Sequence, residues 1–249
     1  MINQLSKPMS LSRLLLYIFI PPFLTMILYV ALSLAFHLVL PPLLLFFVSA
    51  LFLLFPIQIY LILNDQGKTN GIYSLNGLFI NQNQYKWWVI FLLGMLTFGF
   101  AGIMTLLLRP LEAFLFNGLS IQLYQNIPDY FDWSQLDLLA SYSKTVLIIT
   151  GLGYILLNGF VGPIVEELFF RGFLTKKLKM TSWLAPLLMT VLFSIYHFWL
   201  PFYFFFRVIA FFPAFYLAWK LNNIKISIVF HCLSNVFTAI IFFITIMSL

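Results

Sequence analysis

Charge is what this sequence has least of. Asp, Glu, Lys and Arg make up 8% of its 249 residues, against about 25% in soluble globular domains, and this excludes a soluble fold. Cysteine is nearly absent. Cys232 stands alone in an apolar run, so no intrachain disulfide can form and the thiol reads as packing. Low-complexity segments and convincing internal repeats are missing, and so is the His-Glu-x-x-His pattern of a zinc helix. The net charge of +6 does not point to nucleic acid. The basic residues cluster at the ends of apolar runs, where they orient a chain in a bilayer.

What remains is 63% hydrophobic, with several runs longer than the roughly 20 residues that cross a membrane. The expectation is an all-α, polytopic transmembrane helical bundle of about seven spans forming one integral-membrane domain. The spans read as 14–40, 43–63, 87–108, 146–174, 183–200, 202–219 and 226–248. Pro21 and Pro22 should kink or split the first, which is too long for a signal sequence and reads as a retained anchor. Residues 1–144 hold the N-terminal helices and an acidic segment with Glu112, Asp129, Asp132 and Asp137. Residues 145–249 hold the polar motifs. Lys7, Arg13, Lys68, Lys86, the lysines of 176–179, Lys220 and Lys225 all fall on one side of such a bundle. The positive-inside rule puts that side and the N-terminus in the cytoplasm, and the acidic segment and C-terminus outside. The plasma membrane is the expected location.

The stretch 160–175 concentrates the chemistry. Glu166 and Glu167 lie within an apolar run, and Arg171 follows. At helical spacing Glu167 and Arg171 share a face and can pair. Glu166 is turned roughly 100° away with no basic residue at that spacing. A carboxylate without a counter-ion in an apolar setting is costly as an anion, which is the profile of a general base or acid. Gly159, Gly162 and Pro163 should loosen the helix just before it.

Other ionisable or imidazole groups inside spans are His37, His197, Arg207 and His231. Such groups need a partner or a role. His231 and Asn235 are one turn apart on one face. Counted from the cytoplasmic ends, His231 lies roughly 9 Å deep, Glu166 about 15 Å and His197 about 20 Å, and helix tilt can bring them together. His37 reads as interfacial or structural, and Arg207 as snorkelling to the outer surface.

Glu166-Glu167-x-x-x-Arg171, Phe193-x-x-x-His197 and His231-x-x-x-Asn235 resemble, in order, the motifs of the CAAX protease and bacteriocin-processing (CPBP/Abi) family, which is related to the Ras-converting CAAX endopeptidases. The resemblance covers about residues 145–245. It implies an intramembrane endopeptidase whose substrate is a membrane-associated protein or peptide of CAAX, pheromone or bacteriocin type. Glu166 would activate water with help from His197. His231 and Asn235 would stabilise the oxyanion, and Glu167 with Arg171 would support them. A metal-free mechanism is favoured. Zinc held by Glu166, His197 and His231 is the alternative, since family members have been described both ways.

Two other function classes compete. One is a non-enzymatic bacteriocin-immunity or scaffold protein, against which the complete motif set argues. The other is a Glu/His-based transporter, against which no inverted repeat and no second polar cluster is apparent in the sequence.

Overall fold

The computed structural model describes residues 8–79, 82–128, 131, 136–180 and 182–249, and among these there is no β-strand. Seven principal helices carry the chain: α1 (Leu11–Phe36), α2 (Pro42–Thr69), α3 (Trp87–Gln125), α4 (Lys144–Lys177), α5 (Leu184–Tyr196), α6 (Pro201–Lys220) and α7 (Lys225–Met247). Six of them are long and apolar enough to cross a membrane; α5, with 13 residues, is shorter. At 1.5 Å per residue it spans about 20 Å, less than the hydrocarbon core. The fifth expected span, 183–200, is therefore cut short at His197.

Three further sequence expectations are corrected. Pro21 and Pro22 do not split α1, which runs unbroken through both. The Thr25 hydroxyl bonds the Pro21 carbonyl within that stretch (2.8 Å). The third span does not stop at 108, because α3, 39 residues in all, runs on through Pro110 to Gln125. What looked like the polar end of a span, Arg109 to Glu112, is a joint between helices, described below. Arg207 does not snorkel to the surface. It is buried, and its Nη1 donates to the Ser194 carbonyl (3.1 Å). Lys7, Asp129 and Asp132, which entered the charge reading, lie outside the described residues.

One end of the bundle collects the lysine-bearing connections. Lys177 pairs with Asp65 (2.7 Å), and Lys176 donates to the Leu78 carbonyl (3.0 Å). The Met9 amide donates to the Lys177 carbonyl, and Asn223 donates to the Asn83 carbonyl (2.9 Å). At the opposite end, the Tyr142 hydroxyl donates to the carbonyl of His37, the cap of α1. His37 thus closes a helix end, with its Nδ1 on the Ser33 carbonyl (2.9 Å).

The core runs across both halves of the chain. Leu14, Ile18, Leu54, Phe55 and Ile62 pack in one cluster with Phe169, Phe170, Phe193, Tyr196, Phe215 and Phe230. The outward residues of α1 and α3, such as Phe23, Leu34, Leu106 and Phe114, are exposed and apolar. That is what a helix facing lipid requires.

Candidate active site

The acidic pair sits in an interrupted helix. Within α4 the chain winds as π-helix over Tyr154–Val161, returns to α-helix over Gly162–Glu167, and widens again over Leu168–Leu174. Pro163 sits in the first turn of the α-helical piece, where its missing N–H costs little. Wide turns of this kind are rare and recur at functional sites. Gly159 adds proximity: a Cβ there would stand 2.9 Å from Val236. Only glycine lets α7 approach α4 so closely.

Glu166 is buried, with 7% of its surface exposed. Its two oxygens face two imidazoles from two other helices. His197 Nε2 lies 3.6 Å from Oε1, and His231 Nε2 lies 3.8 Å from Oε2. Each imidazole is tied down at its other nitrogen. His197 Nδ1 donates to the Phe193 carbonyl (2.8 Å) and His231 Nδ1 donates to Glu167 Oε1 (2.9 Å). A carbonyl can only accept, so His197 carries a proton on Nδ1, and when neutral it turns a bare Nε2 toward Glu166. His197 is the cap of α5, with backbone angles outside the helix (φ −85°, ψ 44°). The helix therefore ends where the ring is needed.

Glu167 and Arg171 form an ion pair at 3.3 Å, one turn apart on α4. Glu167 is fully buried, and its Oε2 has no hydrogen-bond partner. The Arg171 guanidinium lies over the Phe215 ring (3.0 Å to the centroid) and beside Phe193 (4.4 Å). Its contact with Glu167 is close but poorly aligned for a hydrogen bond, as its unsatisfied nitrogens record. Charge and aromatic faces hold it.

Asn235, one turn beyond His231, is turned elsewhere. Its Nδ2 donates to the Asn158 carbonyl (3.0 Å) in the first wide turn of α4. An amide has two N–H groups, so this bond fixes the side chain and leaves a second donor.

Sequence reasoning missed several residues of this site. Phe193 was only a motif marker. In the structure its ring packs edge-on to both imidazoles, with centroids at 4.6 Å for His197 and 5.6 Å for His231. Tyr196 and Gln58 were not singled out, although Gln58 Nε2 donates to the Tyr196 hydroxyl (3.1 Å) inside the core. The signal for Gln58 was an amide in the middle of an apolar span.

A second polar cluster, also absent from the sequence reading, joins α3 to α6. Glu112 Oε1 accepts from the Phe205 amide (2.9 Å) and Oε2 from the Phe206 amide (3.4 Å). Arg109 Nη1 reaches both Glu112 Oε2 (3.2 Å) and the Phe202 carbonyl (2.7 Å), with its guanidinium over the Tyr203 ring. Glu112 thus caps the N-terminus of α6, where a negative charge suits the helix dipole. Arg207 extends the joint to α5 through the Ser194 carbonyl. Cys232 is a free, half-buried thiol beside His231 in the chain.

Among the described residues, no three His, Cys, Asp or Glu side chains are arranged to hold a metal ion. The two imidazoles address different oxygens of Glu166 and not a shared point between them.

Residues 148–237 match the family model described as type II CAAX prenyl endopeptidase Rce1-like. No curated protein and no solved structure gives a significant match. The matched segment contains Glu166, Glu167, Arg171, His197, His231 and Asn235. This segment, about a third of the chain, is similar to the CAAX protease family, and it lies on α4 to α7, of which α4, α6 and α7 are long and apolar enough to cross a membrane.

Proposed function

We propose that this chain is an intramembrane endopeptidase that hydrolyses a peptide bond of a membrane-associated protein or peptide, using water activated by Glu166. The observation that carries the reading is the meeting of one buried carboxylate with two imidazole Nε2 atoms, at 3.6 and 3.8 Å, from α5 and α7. Both imidazoles are anchored at Nδ1. Two acceptors this far apart do not bond each other directly, and a water molecule can donate to both.

In this reading Glu166 takes a proton from the water as it attacks the scissile carbonyl carbon. His197 Nε2 holds and orients that water. His231, held at Nδ1 by Glu167, donates from Nε2 to the oxygen on which charge develops when its ring carries both protons, and the N–H of Asn235 that Asn158 leaves free provides a second donor there. Glu166 then returns the proton to the leaving amine. The reaction needs no metal in this form. A zinc-dependent version would instead lose cleavage on chelation and regain it with zinc.

The substrate is expected to be lipid-attached or apolar. A groove of about 710 Å³, lined by Leu15, Leu16, Phe19, Ile20 and Phe23 of α1 together with Phe198, lies beside His197 in the chain. Its lining suits a hydrocarbon chain or an apolar peptide segment. CAAX-type, pheromone and bacteriocin-like peptides all satisfy that description. We place the protein in the plasma membrane with its lysine-bearing end in the cytoplasm.

The second polar cluster does not favour a transporter. The described partners of Glu112 are two backbone amides and Arg109, which makes the cluster a joint and not a relay.

The test uses purified protein in proteoliposomes, with internally quenched peptides ending in a prenylated CAAX sequence or carrying an apolar anchor. Cleavage that disappears in Glu166→Gln supports the reading. A folded protein that binds such peptides but leaves them intact points to the immunity or scaffold reading.

A further inference from the structure

His197 stands at the end of a helix that stops early, and the stop has to be held. α5 ends at Tyr196, so its last carbonyls have no further turn to fill them. In a bilayer no water replaces the missing donors. Two of these carbonyls, adjacent in the chain, accept from side chains. The Phe193 carbonyl accepts from His197 Nδ1 (2.8 Å), and the Ser194 carbonyl accepts from Arg207 Nη1 (3.1 Å). The Ser194 hydroxyl donates in turn to the Phe204 carbonyl (3.0 Å). Phe204 and Arg207 lie one turn apart on α6, so a single residue of α5 is tied to α6 twice. Between these ties the chain doubles back through two tight turns. The Leu200 amide donates to the His197 carbonyl (2.9 Å), and the Tyr203 amide donates to the Leu200 carbonyl (3.3 Å).

We propose that Arg207 is a positioning residue for His197. The inference rests on the protease reading above. Arg207 belongs to none of the three motifs, yet it is a buried cation inside an apolar bundle, where such a group needs a partner or a role. Its positive charge suits the negative end of α5. Its effect on His197 follows from competition for acceptors. A side chain at a helix end can reach the carbonyls three and four residues back. For His197 these are Ser194 and Phe193. The guanidinium occupies the Ser194 carbonyl with a cation, and the imidazole is kept on the Phe193 carbonyl.

That choice sets the direction of the ring. With Nδ1 on Phe193, Nε2 points at Glu166 Oε1 across 3.6 Å, the spacing that the bridging water needs. Without Arg207 the Ser194 carbonyl would be buried and unpaired, which is costly, and the nearest free donor is the imidazole itself. Nδ1 would then divide its time between two acceptors, and Nε2 would swing away from Glu166. The second polar cluster therefore has a member that reaches the active site: Glu112 and Arg109 fasten α6 to α3, and Arg207 fastens it to the end of α5.

The experiment uses the full chain in proteoliposomes, with a quenched prenylated CAAX-type peptide as probe and the imidazole nitrogens labelled with 15N. The chain has three histidines, and the His197 signals are assigned by their loss in His197→Gln. Arg207→Met should lower kcat about 10- to 100-fold, the scale of a misplaced catalytic group, and leave KM unchanged. The wild-type His197 ring signals should shift or split in the same variant. Arg207→Lys keeps a cation and a donor, and should recover most of the rate and the wild-type spectrum. Full kcat or an unmoved spectrum in Arg207→Met overturns the proposal. So does a loss confined to KM or thermal stability, or a lysine variant as impaired as the methionine one. If Arg207→Met does not fold, Ser194→Ala, which cuts the second tie to α6, carries the test. It should show a smaller loss of kcat with disturbed His197 signals, and an unmoved spectrum there overturns the proposal. The spectrum needs no cleavage, so an inactive wild type whose His197 signals still respond to Arg207→Met counts against the protease reading and not against Arg207.

Discussion

Two buried polar clusters lie in this bundle, and they are built on opposite terms. Around Glu112 the described contacts are all backbone bonds or close ion pairs. The carboxylate caps α6 through the Phe205 and Phe206 amides, and Arg109 spans Glu112 and the Phe202 carbonyl. Around Glu166 the contacts stay open. Two imidazole nitrogens stand beyond bonding distance, Glu167 Oε2 has no partner, and Arg171 rests on aromatic faces. A saturated cluster fixes structure, whereas an unsaturated one keeps groups ready for a ligand or a proton. Seven helices supply the same environment to both, so the difference lies in the partners.

The sharpest way to probe this contrast is to strand a charge in the open cluster. Arg171→Met should cost about 3–5 kcal/mol of stability, because Glu167 would remain buried without its counter-ion. Thermal unfolding in detergent, compared with the wild type, checks this. Glu166→Gln should leave the unfolding midpoint almost unmoved, since its contacts are long.

The next effect is kinetic. Asn235→Ala should slow turnover about 10²–10³-fold, as for an oxyanion donor, while the affinity for a non-cleavable peptide stays the same. Its loss and that of His231→Ala should be less than additive. A change in peptide affinity instead would place Asn235 in the substrate site.

Glu112→Gln should be milder. It keeps the shape but loses the charge that faces Arg109 and two amides, for about 1–3 kcal/mol. Activity per folded molecule should stay near that of the wild type. A large fall in kcat without a change in stability would show that the two clusters are coupled, which a joint that acts only through structure does not allow.

The smallest effect serves as the background for topology. Cys232→Ser should change stability by about 0.5 kcal/mol or less. Single cysteines at Lys68, Lys179 and Asn117 can then be labelled from either side. Lys68 and Lys179 should react from the cytoplasm and Asn117 from outside. The reverse pattern would turn the site to the other face.

These contrasts explain what could be read from the residues alone. The helical class followed from long apolar runs. The loosened helix before Glu166 followed from Gly159, Gly162 and Pro163, and is realised as wide turns. The Glu167–Arg171 pair followed from one-turn spacing and is present at 3.3 Å. The joint at Glu112 left no comparable trace, because its partners are backbone groups more than 90 residues away. Arg109, Pro110 and Glu112 therefore looked like the end of a span, and Arg207 looked like a surface residue. Gln58 was hidden for the same reason: its partner, Tyr196, is 138 residues away. The short α5 was hidden by the apolar text that continues past His197.

The central claim is that Glu166 activates water in a metal-independent peptide hydrolysis. The most direct measurement is cleavage of a quenched membrane peptide by purified wild type and Glu166→Gln, with the metal content of both determined on the same samples. The account predicts turnover by the wild type that persists in chelator and without stoichiometric zinc, and none above background in a folded Glu166→Gln. Undiminished cleavage by Glu166→Gln would contradict it. So would one zinc per active molecule, removed together with activity by chelator and lost in the His197 and His231 variants.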